Sequence, residues 1–457
     1  MCGGPRLLSQ GTCMTRLFGT DGVRGIANAE LTPELAFRLG EAAGHFLGEK
    51  GRGRIVVGRD TRRSGEMLEA ALVAGICSGG ADALVAGIVP TPAVALLVRE
   101  LAADGGVVIS ASHNAPEYNG IKFFSREGFK LPDEVEDDIE AFCASERDFD
   151  RPTGSDVGTI CRVDDAVDRY IEHCVATIGV DLSGLTIAVD CGHGAASVAT
   201  PEALRRLGAQ VISVNCDWDG MDINVGCGST NLGPLCEIVA ENKVDFGIAH
   251  DGDADRVLAV DDTGAEVDGD AIMAICAAHR KAAGTLPLDT VVSTVMCNLG
   301  FEVAMRELGI TVIKTKVGDR YVLEQLRTSG AVLGGEQSGH IIFLEHNTTG
   351  DGLVTALQIA AVLRQTALPL SELRRVMRRY PQVLVNVPVA DKHRLGTSAA
   401  IAEAIREAET ELGESGRVLV RPSGTEPLVR VMAEATDEVT ASVIVDRLAA
   451  VVRAELG

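Results

Sequence analysis

Three aspartates alternate at Asp251, Asp253 and Asp255 in the stretch HDGDADR, and Arg256 follows them. Three carboxylates on so short a loop repel one another unless a cation sits among them. An all-oxygen donor set suits a hard ion, Mg2+ before Zn2+. An EF-hand would need further ligands and a downstream glutamate inside a helix–loop–helix, and here a strand-like run follows instead. The bland alternative is an acidic surface turn. The triplet spacing directly after a strand favours the metal.

A second stretch, VVISASHNAPEYNGIKFF (107–124), raises a different question. An apolar run stops abruptly at two serines, a histidine and an asparagine, and Lys122 follows. Ser112 is flanked by His113 and Asn114. A protease-type nucleophile needs an activating base and a partner acid, and a Gly-x-Ser-x-Gly elbow is absent. A serine that carries phosphate needs instead a divalent cation and fixed donors around the oxygens. The aspartate triplet would supply that cation.

Two further loops complete the set. In RPSGTEP, Arg421, Ser423, Gly424 and Thr425 form a tight turn between two strand-like runs, with Arg430 beyond it. Backbone amides, hydroxyls and a guanidinium match a dianionic phosphate, although Ser-Gly-Thr would also make a plain hairpin turn. In GGEQSGH, Glu336, Ser338 and His340 stand between glycines. They suit hydrogen bonds to sugar hydroxyls, with the histidine available for proton transfer or phosphate contact.

The elements that must position these loops follow a repeat. RIVVGRDTR leads into GEMLEAALVAGICSGG and ADALVAG; LTIAVDCGHGAA leads into TPEALRRLG and AQVISVN; DTVVSTVMCNLG leads into FEVAMRELG and ITVIKTK. Each is strand, loop, helix, glycine, strand, and the glycine suits the left-handed position that ends a helix. Each unit runs through another helix to a strand that ends in SASHN, HDGDADR or GGEQSGH. Strands apolar on both faces require a helix-covered sheet, and ligands in such sheets bind at strand carboxyl ends. The last stretch changes plan: QVLVNVPV, a helix, then GRVLVRPSGTEPLVRVMAEA and a final helix give a small α+β domain. The fold class is therefore α/β, three similar mixed domains around a cleft plus a smaller C-terminal α+β domain. The expected segments are a disordered extension at 1–13, with Met14 as the functional start, and domains at 14–155, 156–257, 258–370 and 371–457. The acidic run PDEVEDDIEAFCASERDFD is expected as a solvated helix.

Composition narrows the class. With 457 residues, 46% hydrophobic, the chain is too long for one core. A net charge of −23 leaves no broad basic surface for nucleic acid, so an anionic ligand needs locally concentrated basic residues. No apolar run approaches the roughly 20 residues that span a bilayer, and the N-terminus lacks a secretory h-region. Twelve scattered cysteines without a Cys-x-x-Cys pair suit reduced thiols in a cytoplasmic protein.

Taken in order from Leu17 to the C-terminus, these loops resemble the α-D-phosphohexomutase family. LFGTDGVRG, GEQSGH and TKVGDRYVLE are most similar to its glucosamine-phosphate branch. The resemblance implies four domains around a central cleft and an intramolecular phosphotransferase of the isomerase class. It would interconvert glucosamine 6-phosphate and glucosamine 1-phosphate through a bisphosphorylated sugar, feeding amino-sugar nucleotide and cell-wall precursor synthesis. The glucose and mannose branches are the alternative. The resemblance makes Ser112 the phosphoserine. It places one Mg2+ on Asp251, Asp253, Asp255 and a phosphate oxygen of Ser112, and a bisphosphorylated sugar as activator. It sets Arg24, Lys122 and His340 at the reaction centre, and His113, Arg256, Glu336 and Ser338 on the substrate. Arg421, Ser423, Gly424, Thr425 and Arg430 would hold the non-transferring phosphate. A small sugar phosphate is the implied partner, with no nucleic acid and no membrane, and a homodimer is allowed. Ala115 stands where the family usually has proline, and Asn231 where many members have histidine.

Overall fold

The computed structural model describes residues 16–19, 21–48, 52–145, 150–423 and 427–457. The expectations for residues 1–13 and for Gly424 and Thr425 lie outside them. The described chain falls into two compact units. One runs to Val167 and takes in Trp218–Ile223; the other comprises Asp168–Asp217 and Asn224–Gly457.

The first unit is built on a six-stranded sheet. Its strands are β1 (Val23–Ile26), β2 (Arg54–Arg59), β3 (Asp82–Ile88), β4 (Gly105–Ile109), β5 (Tyr118–Ser125) and β6 (Ile160–Arg162), in the order β1-β5-β4-β2-β3-β6. β2 lies parallel to β3 and β4, and β4 turns back antiparallel into β5. β4 is buried throughout, as a run of glycine, valine and isoleucine covered on both faces must be.

The second unit carries three sheets. The first holds β7 (Thr186–Asp190), β8 (Gln210–Val214), β9 (Phe246–His250), β10 (Val257–Asp261) and β11 (Glu266–Val267), in the order β11-β10-β9-β7-β8. The next holds β12 (Thr290–Thr294), β13 (Thr311–Thr315), β14 (Leu333–Gly335) and β15 (Ile341–Phe343), in the order β13-β12-β14-β15. The last is antiparallel: β16 (Gln382–Pro388), β17 (Gly416–Pro422) and β18 (Leu428–Ala435), in the order β16-β18-β17. Helices Ala399–Leu412 and Glu438–Leu456 share its apolar core, with Ile401, Ala408, Ile444 and Leu448 buried.

The repeat is therefore one topology used three times. β3-β2-β4-β5, β8-β7-β9-β10 and β13-β12-β14-β15 have the same order and the same sense of pairing. In each, a central parallel strand crosses into an antiparallel neighbour, and the polar loop is that crossing. The glycines that close the repeat helices, Gly80, Gly208 and Gly309, have φ of 91°, 90° and 68°, the left-handed conformation expected of them. Helix starts are capped by side chains: Asp268, Asn298 and Asp351 each accept a backbone N–H one turn in.

Two sheets run past the expected domain ends. β6 pairs with β3 and extends the first sheet to Arg162, beyond residue 155. β10 and β11 extend the second to Val267, beyond residue 257, because the hairpin after the aspartate loop returns into its own sheet. The acidic run forms the helix Asp133–Ala144. It is not wholly solvated: Glu136 and Ile139 are buried, and Arg16 pairs with Asp137 at 2.9 Å. No single described helix is long and apolar enough to cross a membrane.

Candidate functional site

In the first unit the β4–β5 crossing holds Ser112. Its φ is +53°, a left-handed conformation that costs a non-glycine residue on the order of 1 kcal/mol and needs support. The support is a buried polar network. Ser110 Oγ donates to Asp60 Oδ2 at 2.6 Å and accepts the Ser112 N–H at 2.9 Å. Arg62 is fully buried beneath the loop. Its Nε donates to Asp60 at 2.9 Å; its two terminal nitrogens donate to the carbonyls of Ser112 (2.9 Å), Asn114 (2.8 Å), Tyr118 (3.0 Å) and Ala115. The turn is thus gripped by its carbonyls, including that of Ala115, which a proline would equally supply. The missing proline leaves this grip intact.

Cations gather at the same strand ends. Ser112 Oγ lies 3.4 Å from His113 Nδ1. Lys122 is buried on β5, opposite Val108 of β4. Arg24 sits on β1, opposite Gly120. A Cβ on Gly120 would fall 3.0 Å from Arg24 Cγ and 2.6 Å from the Ser110 carbonyl, so only glycine lets the arginine stem pass there. Asp21 binds this group: its carboxylate accepts from Lys130 at 2.6 Å and from Arg24 at 3.2 Å. Burial would raise its carboxyl, but Lys130, Lys122 and Arg24 together hold it well below the usual range.

In the second unit the β9–β10 crossing carries the aspartates. Asp251, Asp253 and Asp255 are all buried, and one oxygen from each lies within 4.8 Å of the others. The loop is fixed by local bonds. Asp251 Oδ1 accepts Arg256 N–H at 3.2 Å, its carbonyl accepts Ala254 N–H at 3.1 Å, and Ala254 takes φ +56°. Beneath it, His250 Nδ1 meets the Arg256 carbonyl at 3.0 Å and Nε2 meets Thr200 Oγ1 at 3.2 Å. Burial lowers this imidazole to about 4, so it is neutral at pH 7. Three buried carboxylates so close offer an all-oxygen donor set that fits a hard divalent ion.

The β14–β15 crossing adds the GEQSGH residues to the same unit. His340 Nδ1 stands 3.7 Å from Asp255 Oδ1, and its Nε2 stands 3.6 Å from Asp319 and accepts Gly350 N–H at 3.1 Å. Glu336 accepts the Gly318 N–H at 3.0 Å and the Ser338 hydroxyl at 3.4 Å. Arg256 reaches back to within 3.9 Å of Asp255.

On the C-terminal sheet Arg421 and Arg430 are direct cross-strand partners. Like charges so placed repel, which suits an anion between them. Burial, and then the charge of Arg430, push the Arg421 guanidinium below its ordinary value. Ser423 is buried; its N–H donates to the Leu428 carbonyl at 2.8 Å and its own carbonyl accepts Lys392 Nζ at 2.7 Å.

The structure brings Arg24, Ser112, His113 and Lys122 together in the first unit. It brings the aspartates, Arg256, Glu336, Ser338 and His340 together in the second, with Arg421, Ser423 and Arg430 as a cluster on the last sheet. Sequence reasoning missed Asp60, Arg62 and Ser110 under the serine loop, Asp21 and Lys130 beside Arg24, and Asp319 beside His340. Three signals were available: GRDTR, LFGTDGVRG and TKVGDRYVLE each hold one or more of these residues. Asn231 serves its own loop. It donates to the Gly226 carbonyl and accepts Gly233 N–H, tying that loop to the following helix.

Known proteins place this arrangement. The phosphoglucomutase/phosphomannomutase alpha/beta/alpha domains I, II and III match residues 15–149, 168–264 and 268–380, and the C-terminal domain matches 384–451. A phosphoglucosamine mutase of Desulforamulus reducens is 56% identical over 441 residues, 96% of this chain and 99% of that protein. Another, of Streptomyces coelicolor, is 56% identical over 452 residues, 97% of this chain and 100% of that protein. Among solved structures, a phosphoglucomutase/phosphomannomutase family protein from Burkholderia thailandensis superposes with a TM-score of 0.79 at 25% identity, covering 96% of this chain and 97% of its own. The Aspergillus fumigatus N-acetylphosphoglucosamine mutase, solved with GlcNAc-6P and magnesium, shares the fold at a TM-score of 0.67 and 19% identity, over 96% of this chain and 95% of its own. With all four of the family's domains matched in order along its length, this chain belongs to the phosphoglucomutase/phosphomannomutase family.

Proposed function

We propose that this chain interconverts glucosamine 6-phosphate and glucosamine 1-phosphate, with Ser112 as the phosphoryl carrier. The observation that carries the reading is that one kind of strand crossing serves three different ends. It holds a serine in a left-handed turn, a buried three-carboxylate site, and a Glu-Gln-Ser-Gly-His loop. The 56% identity to phosphoglucosamine mutases across nearly the whole chain supports the amino sugar over glucose or mannose.

In this reading phosphorylated Ser112 gives its phosphoryl group to the free hydroxyl at one end of the sugar phosphate. The Ser112 O–P bond breaks, a sugar O–P bond forms, and the hydroxyl proton passes to a neighbouring base. The resulting bisphosphorylated sugar turns around, and Ser112 takes the phosphate from the other end. Arg24 and Lys122 put positive charge beside Ser112, where the transferring oxygens carry negative charge. Arg421, Arg430, Ser423 and the 424–425 turn hold the phosphate that is not moving. Glu336 and Ser338 bond sugar hydroxyls in both orientations, while His113, Arg256 and His340 line the reaction centre. A Mg2+ ion on Asp251, Asp253 and Asp255, with a phosphate oxygen of Ser112 as a further ligand, would neutralise charge during transfer. A bisphosphorylated sugar would keep Ser112 charged with phosphate. We place the chain in the cytoplasm; the ten described cysteines are free thiols, which suits a reducing compartment.

The test is an intact-mass spectrum of the purified protein followed by turnover of glucosamine 6-phosphate with a trace of bisphosphate activator. A phosphate adduct on Ser112 and formation of glucosamine 1-phosphate without free phosphate are expected. Stoichiometric release of inorganic phosphate would make the chain a phosphatase. Equal or better turnover of glucose or mannose phosphate would move it to another branch of the family.

A further inference from the structure

Two cysteines meet behind the aspartate loop. Cys191 follows β7 directly and is fully buried; Cys216 lies two residues past β8 and is half-buried. The two strands are parallel neighbours, with Asp190 opposite Val214. One carbonyl serves both cysteines. Val214 O accepts Cys191 N–H at 3.1 Å and the Cys216 thiol at 3.3 Å. Asn215, between Val214 and Cys216, takes φ +52° and turns Cys216 back over the strand end. Its side chain is pinned to Asp190 at 3.0 Å. Neighbouring strands lie about 4.8 Å apart, and one residue of stagger adds about 3.3 Å along the chain. The two Cα atoms are therefore on the order of 6 Å apart, inside the range that a disulfide spans.

We propose that Cys191 and Cys216 form a reversible disulfide under peroxide, and that this bond loosens the metal loop. The Cys216 thiolate attacks one oxygen of a hydroperoxide; the O–O bond breaks and a sulfenic acid forms as the alcohol or water leaves. Cys191 then attacks that sulfur, the S–S bond forms and water departs. Two thiols are oxidised and one peroxide is reduced. The roles follow from access: half-buried Cys216 is the more accessible partner and Cys191 the enclosed one. The charge balance favours the same assignment: the neighbouring Cys191 lowers the Cys216 thiol to about 7, while Cys216 and burial raise that of Cys191 well above the usual thiol value.

The path to the metal loop is backbone against backbone. The Cys191 carbonyl accepts Gly194 N–H at 2.9 Å, and Ala195 N–H donates to the Gly252 carbonyl at 2.8 Å. A Cβ on Gly194 would lie 2.4 Å from that same oxygen, so no slack separates the loops. Gly252 stands between Asp251 and Asp253. Turning the Cys216 sulfur to Cys191 breaks its bond to Val214 O, the carbonyl that also holds the Cys191 N–H, and so disturbs the segment on which the aspartates rest. This second half rests on the metal reading; the disulfide does not.

The whole chain, treated with hydrogen peroxide, thiol-blocked and digested, should yield a peptide linking Cys191 to Cys216, with two hydrogens lost from the intact mass. The Mg2+ concentration giving half-maximal activity should rise about fivefold or more, and a dithiol reductant should restore it. Cys191→Ser should leave a sulfenic acid on Cys216 that dimedone captures. Cys216→Ser should keep its activity in peroxide that slows the parent. If the parent forms no 191–216 link while exposed Cys161 is oxidised, the site is wrong, whatever the variants do. If the link forms and the Mg2+ requirement is unchanged, the coupling to the metal loop is overturned.

Discussion

The serine loop and the aspartate loop occupy the same place in the repeat, yet they are held up differently. Both cross from a buried parallel strand into an antiparallel one, and both bend through a left-handed residue, Ser112 at φ +53° and Ala254 at φ +56°. Beneath the serine loop stands Arg62, a guanidinium that grips four loop carbonyls. Beneath the aspartate loop stands His250, an imidazole that burial keeps neutral, bonded to one loop carbonyl. On the proposed function, the difference follows the cargo. A loop that carries a phosphate dianion gains from a fixed positive charge below it. A loop that gathers a cation gains from a strut that adds no competing charge. On the proposed function, one fold position would thus become an anion carrier or a cation holder through the residue packed under it.

The largest effect tests the cargo itself. Ser112→Ala should lower turnover by about a thousandfold or more, since no carrier remains, with the fold unchanged by circular dichroism. Its intact mass should show no phosphate adduct. Ser110→Ala should keep measurable activity, because Ser110 supports the loop, bonding Asp60 and the Ser112 amide, and carries no phosphate. An inactive Ser110→Ala beside a fully active Ser112→Ala would reverse the assignment.

The struts come next. Arg62→Met leaves Asp60 buried without its charge partner and frees four carbonyls, so it should cost about 3–5 kcal/mol in denaturant unfolding. His250→Asn, which removes only a neutral hydrogen-bonding ring, should cost about 1–3 kcal/mol. Arg62→Met should also slow phosphorylation of Ser112 by a bisphosphorylated sugar. Equal costs at the two positions, or phosphorylation at the parent rate, would break the comparison between the loops.

On the cation side, Asp253→Asn removes one charge from the triplet. The Mg2+ requirement should rise by about ten- to a hundredfold, read from activity against metal concentration and from calorimetric binding. Full activity in excess chelator would remove the metal from the mechanism. Arg421→Lys keeps the charge opposite Arg430 but loses the planar fork. Sugar-phosphate affinity should fall about tenfold, with a smaller loss of turnover as the intermediate escapes. Unchanged binding of substrate and bisphosphate would take this turn out of the site.

The repeat was legible in the sequence because its strands are short, apolar and closed by glycine, and those signals are local. So were the aspartates and Ser112, whose types are unusual at a strand end. Arg62 was not legible. It sits fifty residues before Ser112, and its part depends on β2 lying beside β4, a pairing that no local pattern states. The sheet edges at Arg162 and Val267 were missed for the same reason: an edge strand is defined by its partner. Asp21 shows the middle case. Its motif was noticed, and Arg24 lies three residues from it, but its bond to Lys130, more than a hundred residues on, needed the fold.

The smallest effect concerns the third crossing, where the loop must choose a sugar. The reacting oxygens lie at carbons 1 and 6, so the chemistry is indifferent to an amine or a hydroxyl at carbon 2, and preference has to come from the loop. Gln337 stands between Glu336 and Ser338 in GEQSGH. Its side chain turns toward the loop's own frame: the amide nitrogen donates to Asp268 Oδ2 at 3.3 Å, and its backbone carbonyl accepts Gly269 N–H at 3.0 Å. It therefore shapes the seat of Glu336 and Ser338 instead of reading the sugar directly. Methionine would keep the backbone bond and lose the amide bond to a carboxylate, about 1.5–3 kcal/mol of local support. Only part of that reaches the substrate, so Gln337→Met should narrow the ratio of glucosamine to glucose phosphate turnover by about tenfold at most. Phosphorylation of Ser112 should stay unchanged. A ratio left where it was would remove Gln337 from specificity, and a loss of Ser112 phosphorylation would show that this crossing supports the first one as well as the sugar.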